Sequence, residues 1–208
     1  RGLTIDKAKP GDSPAWTQSD IDTLDAIPNY YLLYYYQTQN WINYQKDHDT
    51  RASEVIKIED ELIEKFKDVD LVAKPEELMK RGGAYYSDSA AELMADIHND
   101  AGTTHIVNTL NNGAIPGLHK DAVVEIPAVI TKNGAAAIST SALRPDIDSL
   151  VRSVKDFELL TINAALTGDE DSAIRALISN PIGPDINTAR DLWLDLKREN
   201  AGMIGLFN

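Results

Sequence analysis

The residue types best suited to chemistry in this chain lie together in Arg81-Gly82-Gly83-Ala84-Tyr85-Tyr86-Ser87. Adjacent glycines let a backbone take positive φ or pass close to a ligand. An arginine beside them suits the forked recognition of a phosphate or carboxylate. The helical pattern that follows puts Tyr85 and Tyr86 at a helix start, where the positive end of the dipole favours a phenolate. A tyrosine so placed can serve as a general base. The same residues also read as a structural loop, with the glycine pair capping one helix and an aromatic stapling the next. A second segment, His105 to Gly113 (HIVNTLNNG), sets Asn108, Asn111 and Asn112 near a strand end. Their amides offer the donors and acceptors that a polyol requires, and Asn-Asn-Gly is equally a polar turn.

Other chemistries are excluded by what is missing. The chain has no G-x-G-x-x-G after a strand, no Walker loop, no H-E-x-x-H and no G-x-S-x-G. His48, His98, His105 and His119 fall in different elements without ligand spacing and read as structural or surface residues. Zero cysteines exclude disulfides, thiolate ligands and cysteine nucleophiles within these residues and agree with a cytoplasmic location. With 33 acidic against 20 basic residues the net charge is −13, which argues against a nucleic-acid or anionic-membrane partner. No apolar run reaches the length of a membrane span. The 208 residues suffice for one sizeable core, and the start at Arg1, without Met or apolar leader, suggests a processed product or a fragment.

The elements that must position these residues follow from periodicity. Residues 1–19 carry two prolines and two glycines and read as a connector or loop. A helix is expected after Ser19 as N-cap, interrupted by Pro28. The stretch Asn29–Tyr44, with Tyr30, Tyr31, Tyr34, Tyr35, Tyr36 and Trp41, has no polar face along its first half, so burial inside a domain or against another is expected. Arg51 to Lys67 is a clean amphipathic helix with Ala52, Val55, Ile56, Leu62, Ile63 and Phe66 on one stripe, which Glu59 alone interrupts. Pro75 opens a short helix over 76–80, and another runs from the tyrosines to about His98. Thr104–Leu110 reads as a strand; a second, Ala122–Ile130, contains Pro127, which suggests a sheet edge or bulge. A third strand follows an Asn133-Gly134 turn. Asp146 is the expected cap of a long helix ended by Gly168, a short helix covers Ala173–Ile178, and Asp185 caps the last. The fold class is α+β: mostly helical, with a small central antiparallel β-meander, as one domain over 20–208.

Taken in order, several pieces resemble glycoside hydrolase family 4 and, within it, the 6-phospho-β-glucosidases. They are Ile27-Pro28-Asn29-Tyr30-Tyr31-Leu32 with the Tyr34-Tyr35-Tyr36 run, RGGAYYS, HIVN with NNGAIPGL, AVVEIPA, LTINAALTGD and AIRALISNP, spread over roughly residues 20 to 200. The resemblance implies the C-terminal substrate-binding and oligomerisation domain of such an enzyme, in a fold shared with lactate and malate dehydrogenases. It implies NAD oxidising the sugar at C3, a base removing the acidified C2 proton, a divalent metal, manganese by expectation, stabilising the enediolate, and elimination of the aglycone. By resemblance the base is the second tyrosine of the motif, Tyr86, with Tyr85 in a packing role. Arg81, Asn108 and Asn111 are the expected substrate-binding residues, and no metal ligand is expected in this chain. The NAD-binding Rossmann domain, the metal-binding Cys and His and the general-acid Asp belong to an N-terminal half that these residues do not contain. Relatives often carry an arginine beside the tyrosine run and another near the Asn-rich turn, where this chain has Leu33 and Leu110 or Asn112.

The expectation is therefore an NAD- and metal-dependent glycosidase acting on 6-phospho-β-glucosides, inactive without its N-terminal half. Its expected partners are a phosphorylated disaccharide or β-glucoside, its own Rossmann domain and further copies in a homodimer or homotetramer, with no nucleic acid and no membrane. The alternatives are the same family acting on α-glucosides, galactosides or galacturonides, and a non-catalytic helical oligomerisation module.

Overall fold

The structure, a computed structural model, describes residues 13–82 and 85–207. The chain divides into two compact units, Arg1–Ser89 and Ala90–Asn208. Most of the expected connector, residues 1–12, lies outside the described residues.

In the first unit, helix α1 (Gln18–Leu24) starts at Thr17 rather than at Ser19. The reason is reciprocity: the Thr17 hydroxyl accepts from the Asp20 amide at 3.2 Å while the Asp20 carboxylate accepts from the Thr17 amide at 2.9 Å. Trp16, just before it, is buried and donates its indole N–H to the Asn29 carbonyl at 3.2 Å. The tyrosine-rich stretch is not one helix. It forms a 3-10 turn (Tyr30–Leu32), α2 (Leu33–Tyr36) and α3 (Thr38–Asp47), broken at Gln37, whose carboxamide donates to the Ala15 carbonyl at 3.1 Å and Asp20 at 3.3 Å. Leu33 is fully buried, but Tyr30 and Tyr31 are 52% and 69% exposed, so the expected burial of this stretch is not met within the unit. Instead the rings pack on one another, Tyr34 on Trp41 at 4.9 Å and Tyr44 on His48 at 4.0 Å between centroids. Helix α4 (Arg51–Lys65), capped by Thr50, buries Leu62 and leaves Ile56, Ile63 and Phe66 exposed. Short α5 (Glu77–Arg81) runs beside it, and α6 (Tyr86–Asn99) begins in this unit.

The second unit holds the meander: β1 (Thr104–Leu110), β2 (Val123–Thr131) and β3 (Gly134–Ala137), antiparallel in the order β1-β2-β3. Pro127 therefore lies in the central strand, contrary to the edge its presence suggested. It is tolerated because of register. Pro127 faces Ile106 of β1, while on its other side the Ile138 amide donates to its carbonyl at 2.9 Å, one residue past the end of β3. The ladder bond that a proline cannot return falls where β3 has already stopped. One sheet face carries Val124, Ile126, Ala128 and Ile130, all buried, with Ala114, Ile115 and Leu118 packed against it. The other exposes Ile106, Leu110 and Val123.

Three helices follow: α7 (Pro145–Thr167), α8 (Glu170–Ser179) and α9 (Ile186–Glu199). Pro145 takes the first helical position of α7, so Arg144 is the cap and Asp146 sits in the first turn, gripped by the Arg144 guanidinium at 2.8 Å. Gly168 ends α7 at φ 71°, as expected, and a Cβ there would stand 2.5 Å from the Leu206 carbonyl oxygen. Asp169 then caps α8 and accepts from the buried Ser172 hydroxyl at 2.5 Å, while Asn163 and Arg175 donate to that hydroxyl at 2.9 Å each. Glu170 joins α8 to α9 by accepting from Trp193 at 3.2 Å and Lys197 at 2.7 Å. Asp185 caps α9.

Gly168 and three carboxylates of this unit generate stability tests. Gly168→Ala combines a left-handed backbone with that close approach and should cost about 1–3 kcal/mol in denaturant unfolding. Hydrogen bonds from Ser172 to Asp169, from Lys197 and Trp193 to Glu170, and from Thr103 and His105 to Asp96 all hold these carboxyls below their ordinary range. Groups lowered on folding stabilise above their unfolded value of about 4 and lose that contribution as pH falls through the folded value. The thermal midpoint should thus drop as pH is lowered below about 4, and Glu170→Gln should make that drop shallower.

Candidate active site

Arg81 is the last residue of α5, and Gly82 follows at φ 108°, ψ 170°, a backbone that favours glycine. Gly83 and Ala84, the next residues of the motif, lie outside the described residues. Tyr86 opens α6 as the sequence suggested and is 79% exposed; Tyr85, beside it, is 56% exposed. The Tyr86 side chain is thus open to solvent.

Arg81 is engaged within the fold. Its Nε donates to Glu59 Oε1 at 2.9 Å, and Nη2 lies 2.7 Å from the same oxygen. Arg51, at the start of α4, donates to the carbonyls of Lys80 and Arg81 at 2.6 and 3.1 Å. Neither Glu59 nor Arg51 was singled out as functional from sequence, although a signal existed: Glu59 is the charge that interrupts the apolar stripe of α4.

Asn108 and Asn111 belong to the second unit, and Arg81 and Tyr86 to the first. Asn108 is exposed on β1 opposite Glu125. Asn111 is wholly buried. Its Nδ2 donates to the carbonyls of Ile115, Leu118 and His119 at 3.2, 3.2 and 3.3 Å, and its Oδ1 accepts from the Ile115 amide at 2.7 Å. Every polar atom of that side chain is committed to its own loop, so in this conformation none is left for a sugar. Asn112 is exposed at φ 45°. Leu33, where relatives often have arginine, is fully buried. Of the histidines, His105 pairs through Nε2 with Asp96 at 2.7 Å and ties α6 to β1.

The donor set does not fit a resident metal or nucleotide. Among the described residues no three His, Cys, Asp or Glu side chains converge on a point, the chain has no cysteine, and no strand leads into a glycine-rich phosphate loop. Among the described residues, no helix is long and apolar enough to cross a membrane.

The first unit is helical, and the second joins a three-stranded antiparallel meander to further helices. The profile of the family 4 glycosyl hydrolase C-terminal domain matches residues 6–183, and the chain belongs to that family. It is 39% identical over 181 residues to a probable 6-phospho-beta-glucosidase of Bacillus subtilis, covering 85% of this chain and 41% of that one. It is 40% identical over 195 residues to 6-phospho-beta-glucosidase BglT of Thermotoga maritima, covering 94% and 46%. A solved structure of the Thermotoga maritima 6-phospho-beta glucosidase with NAD and glucose-6-phosphate superposes with a TM-score of 0.82 at 39% identity, covering 89% of this chain and 44% of that one. The chain thus spans less than half the length of these relatives.

The two asparagines should separate in a stability assay. Asn111→Ala would strand buried carbonyls and an amide and should cost about 3 kcal/mol. Asn108→Ala should stay within about 0.5 kcal/mol of the parent.

Proposed function

We propose that this chain is the substrate half of an NAD- and divalent-metal-dependent glycosidase that hydrolyses 6-phospho-β-glucosides. The observation that carries the reading is the exposed Tyr86 at the start of α6, shortly after Arg81 at the end of α5, in a family 4 chain. The names of the two relatives at 39% and 40% identity support the phosphorylated β-glucoside as substrate class. The fold's own residues supply two parts of the work. Tyr86 Oη removes the proton from C2 of the sugar, and Arg81 meets the anionic substituent with the part of its guanidinium that Glu59 leaves open. In the second unit Asn108 stays exposed on β1, and Asn111 holds the loop that follows it. NAD and the metal are held by an N-terminal Rossmann domain that packs on this chain.

Partner contacts suit the exposed apolar surfaces: the tyrosine stretch of the first unit and the sheet face with Ile106, Leu110 and Val123 in the second. One covers the N-terminal domain and the other a further copy in a homodimer or homotetramer. The enzyme works in the cytoplasm, in keeping with a chain without cysteine.

In the polypeptide that carries both halves, Tyr86→Phe should lower turnover by at least about 100-fold and abolish solvent exchange at C2 while NAD still binds. Normal turnover in that variant would remove Tyr86 from the mechanism. Hydrolysis of a chromogenic 6-phospho-β-glucoside by residues 1–208 alone, with NAD and manganese, would show that no second half is required.

A further inference from the structure

Glu59 sits where α4 should carry an apolar side chain, and its carboxylate is spent on Arg81. The contact engages one edge of the guanidinium, Nε at 2.9 Å and Nη2 at 2.7 Å from a single oxygen. Nη1 and the outward hydrogen of Nη2 remain, and these form the end of the fork that grips a phosphate or carboxylate through two parallel bonds. A second arginine secures the C-terminal end of α5. Arg51 Nη2 donates to the Lys80 and Arg81 carbonyls, the last of α5, while its Nη1 is held by Glu54 at 3.1 Å. At the other end of α5, Lys65 pairs with Glu77 at 2.7 Å. Helix α4 thereby fixes both the backbone and the guanidinium of Arg81, the last residue of α5.

The ion pair is half-exposed, with Arg81 and Glu59 side chains at 49% and 40% of full accessibility, so it adds little to folding stability. Its effect lies elsewhere. An arginine at a solvent-facing helix end samples many rotamers, and immobilising such a side chain during binding weakens affinity. A carboxylate that selects one rotamer beforehand removes that cost from the binding step.

We infer that Glu59 is a positioning residue: it presets the Arg81 guanidinium, end of the fork outward, for the phosphate of the substrate. The inference rests on the glycosidase reading and assigns Glu59 no contact with the sugar.

The test is a double-mutant cycle in the polypeptide that carries both halves. Glu59→Gln should raise KM for a 6-phospho-β-glucoside about five- to tenfold, the equivalent of one ordered side chain, with kcat within about twofold and the thermal midpoint nearly unchanged. In an Arg81→Ala background the same substitution should change KM by less than about twofold, since its route of action is gone. An unchanged KM in Glu59→Gln, or the same rise with Arg81 absent, would overturn the inference. Calorimetric titration with glucose 6-phosphate repeats the comparison without turnover. An inactive parent that binds glucose 6-phosphate in a Glu59-dependent way would sink the glycosidase reading and leave the positioning role standing. Affinity independent of Glu59, or no binding at all, overturns that role.

Discussion

The second unit depends on one buried amide. A carboxamide withdrawn from water must have its donors and acceptor met, and Asn111 meets them with four hydrogen bonds inside the segment it introduces. Those bonds wind residues 111–119 into a compact loop, which returns the chain to β2 through the Asn111 amide and the Ala122 carbonyl at 2.8 Å. The loop in turn supports the later elements of the unit. Ala114 enters the core beneath Val124 and Ile126, and its carbonyl accepts from the Thr140 amide at 2.8 Å. The Gly117 carbonyl accepts from Arg152 on α7 at 2.6 Å. The meander and the first long helix are thus registered on the same loop.

The first unit is held differently. Trp16, Leu33 and Leu62 are buried, and further order comes from the hydrogen bonds of Trp16 and Gln37, from rings in mutual contact and from charges on α4 and α5. An aromatic pair contributes about 0.5–1.5 kcal/mol beyond its burial, and a half-exposed ion pair less than about 1 kcal/mol, so these contacts set geometry more than they set stability. That suits a surface completed by something else. Ile56, Ile63 and Phe66 on α4, and Tyr30 and Tyr31 before α2, are large apolar side chains exposed along helices whose periodicity announces a buried face.

Much of this was legible in the sequence where a local rule has no competitor. The β-branched run 104–110 is β1 to the residue, and Gly168 and Asp185 end and begin helices as their types require. Misreadings had a local and a longer-range source. Ser19 yielded to Thr17 because Asp20, three residues on, reciprocates with Thr17 in a capping box. Pro127 looked like an edge residue because a sequence does not show that the neighbouring strand ends one residue short of it. For the site, Tyr86 and Arg81 were visible as residue types, but Arg81's partner was not, since Glu59 lies 22 residues away on another helix. Asn111 was visible as an amide, yet only the fold shows its hydrogen bonds turned inward.

That contrast bears on what a family motif means. The AALTGD stretch ends in Gly168 at φ 71° and in Asp169, whose carboxylate takes the Ser172 hydroxyl and the start of α8. Its polar atoms are consumed in turning one helix into the next, and the Asn-rich turn spends Asn111 in the same way. Motifs of this kind identify a fold, since losing them leaves buried groups unpaired. The RGGAYYS segment differs: Tyr86 points its phenol into solvent, and Arg81 commits only one edge of its guanidinium. Burying neither group fully means that folding alone does not require their chemistry, because an exposed polar side chain is ordinarily replaceable at little cost in stability. The polar ends of both side chains stay open in the fold, as the proposed contact with a substrate requires of them.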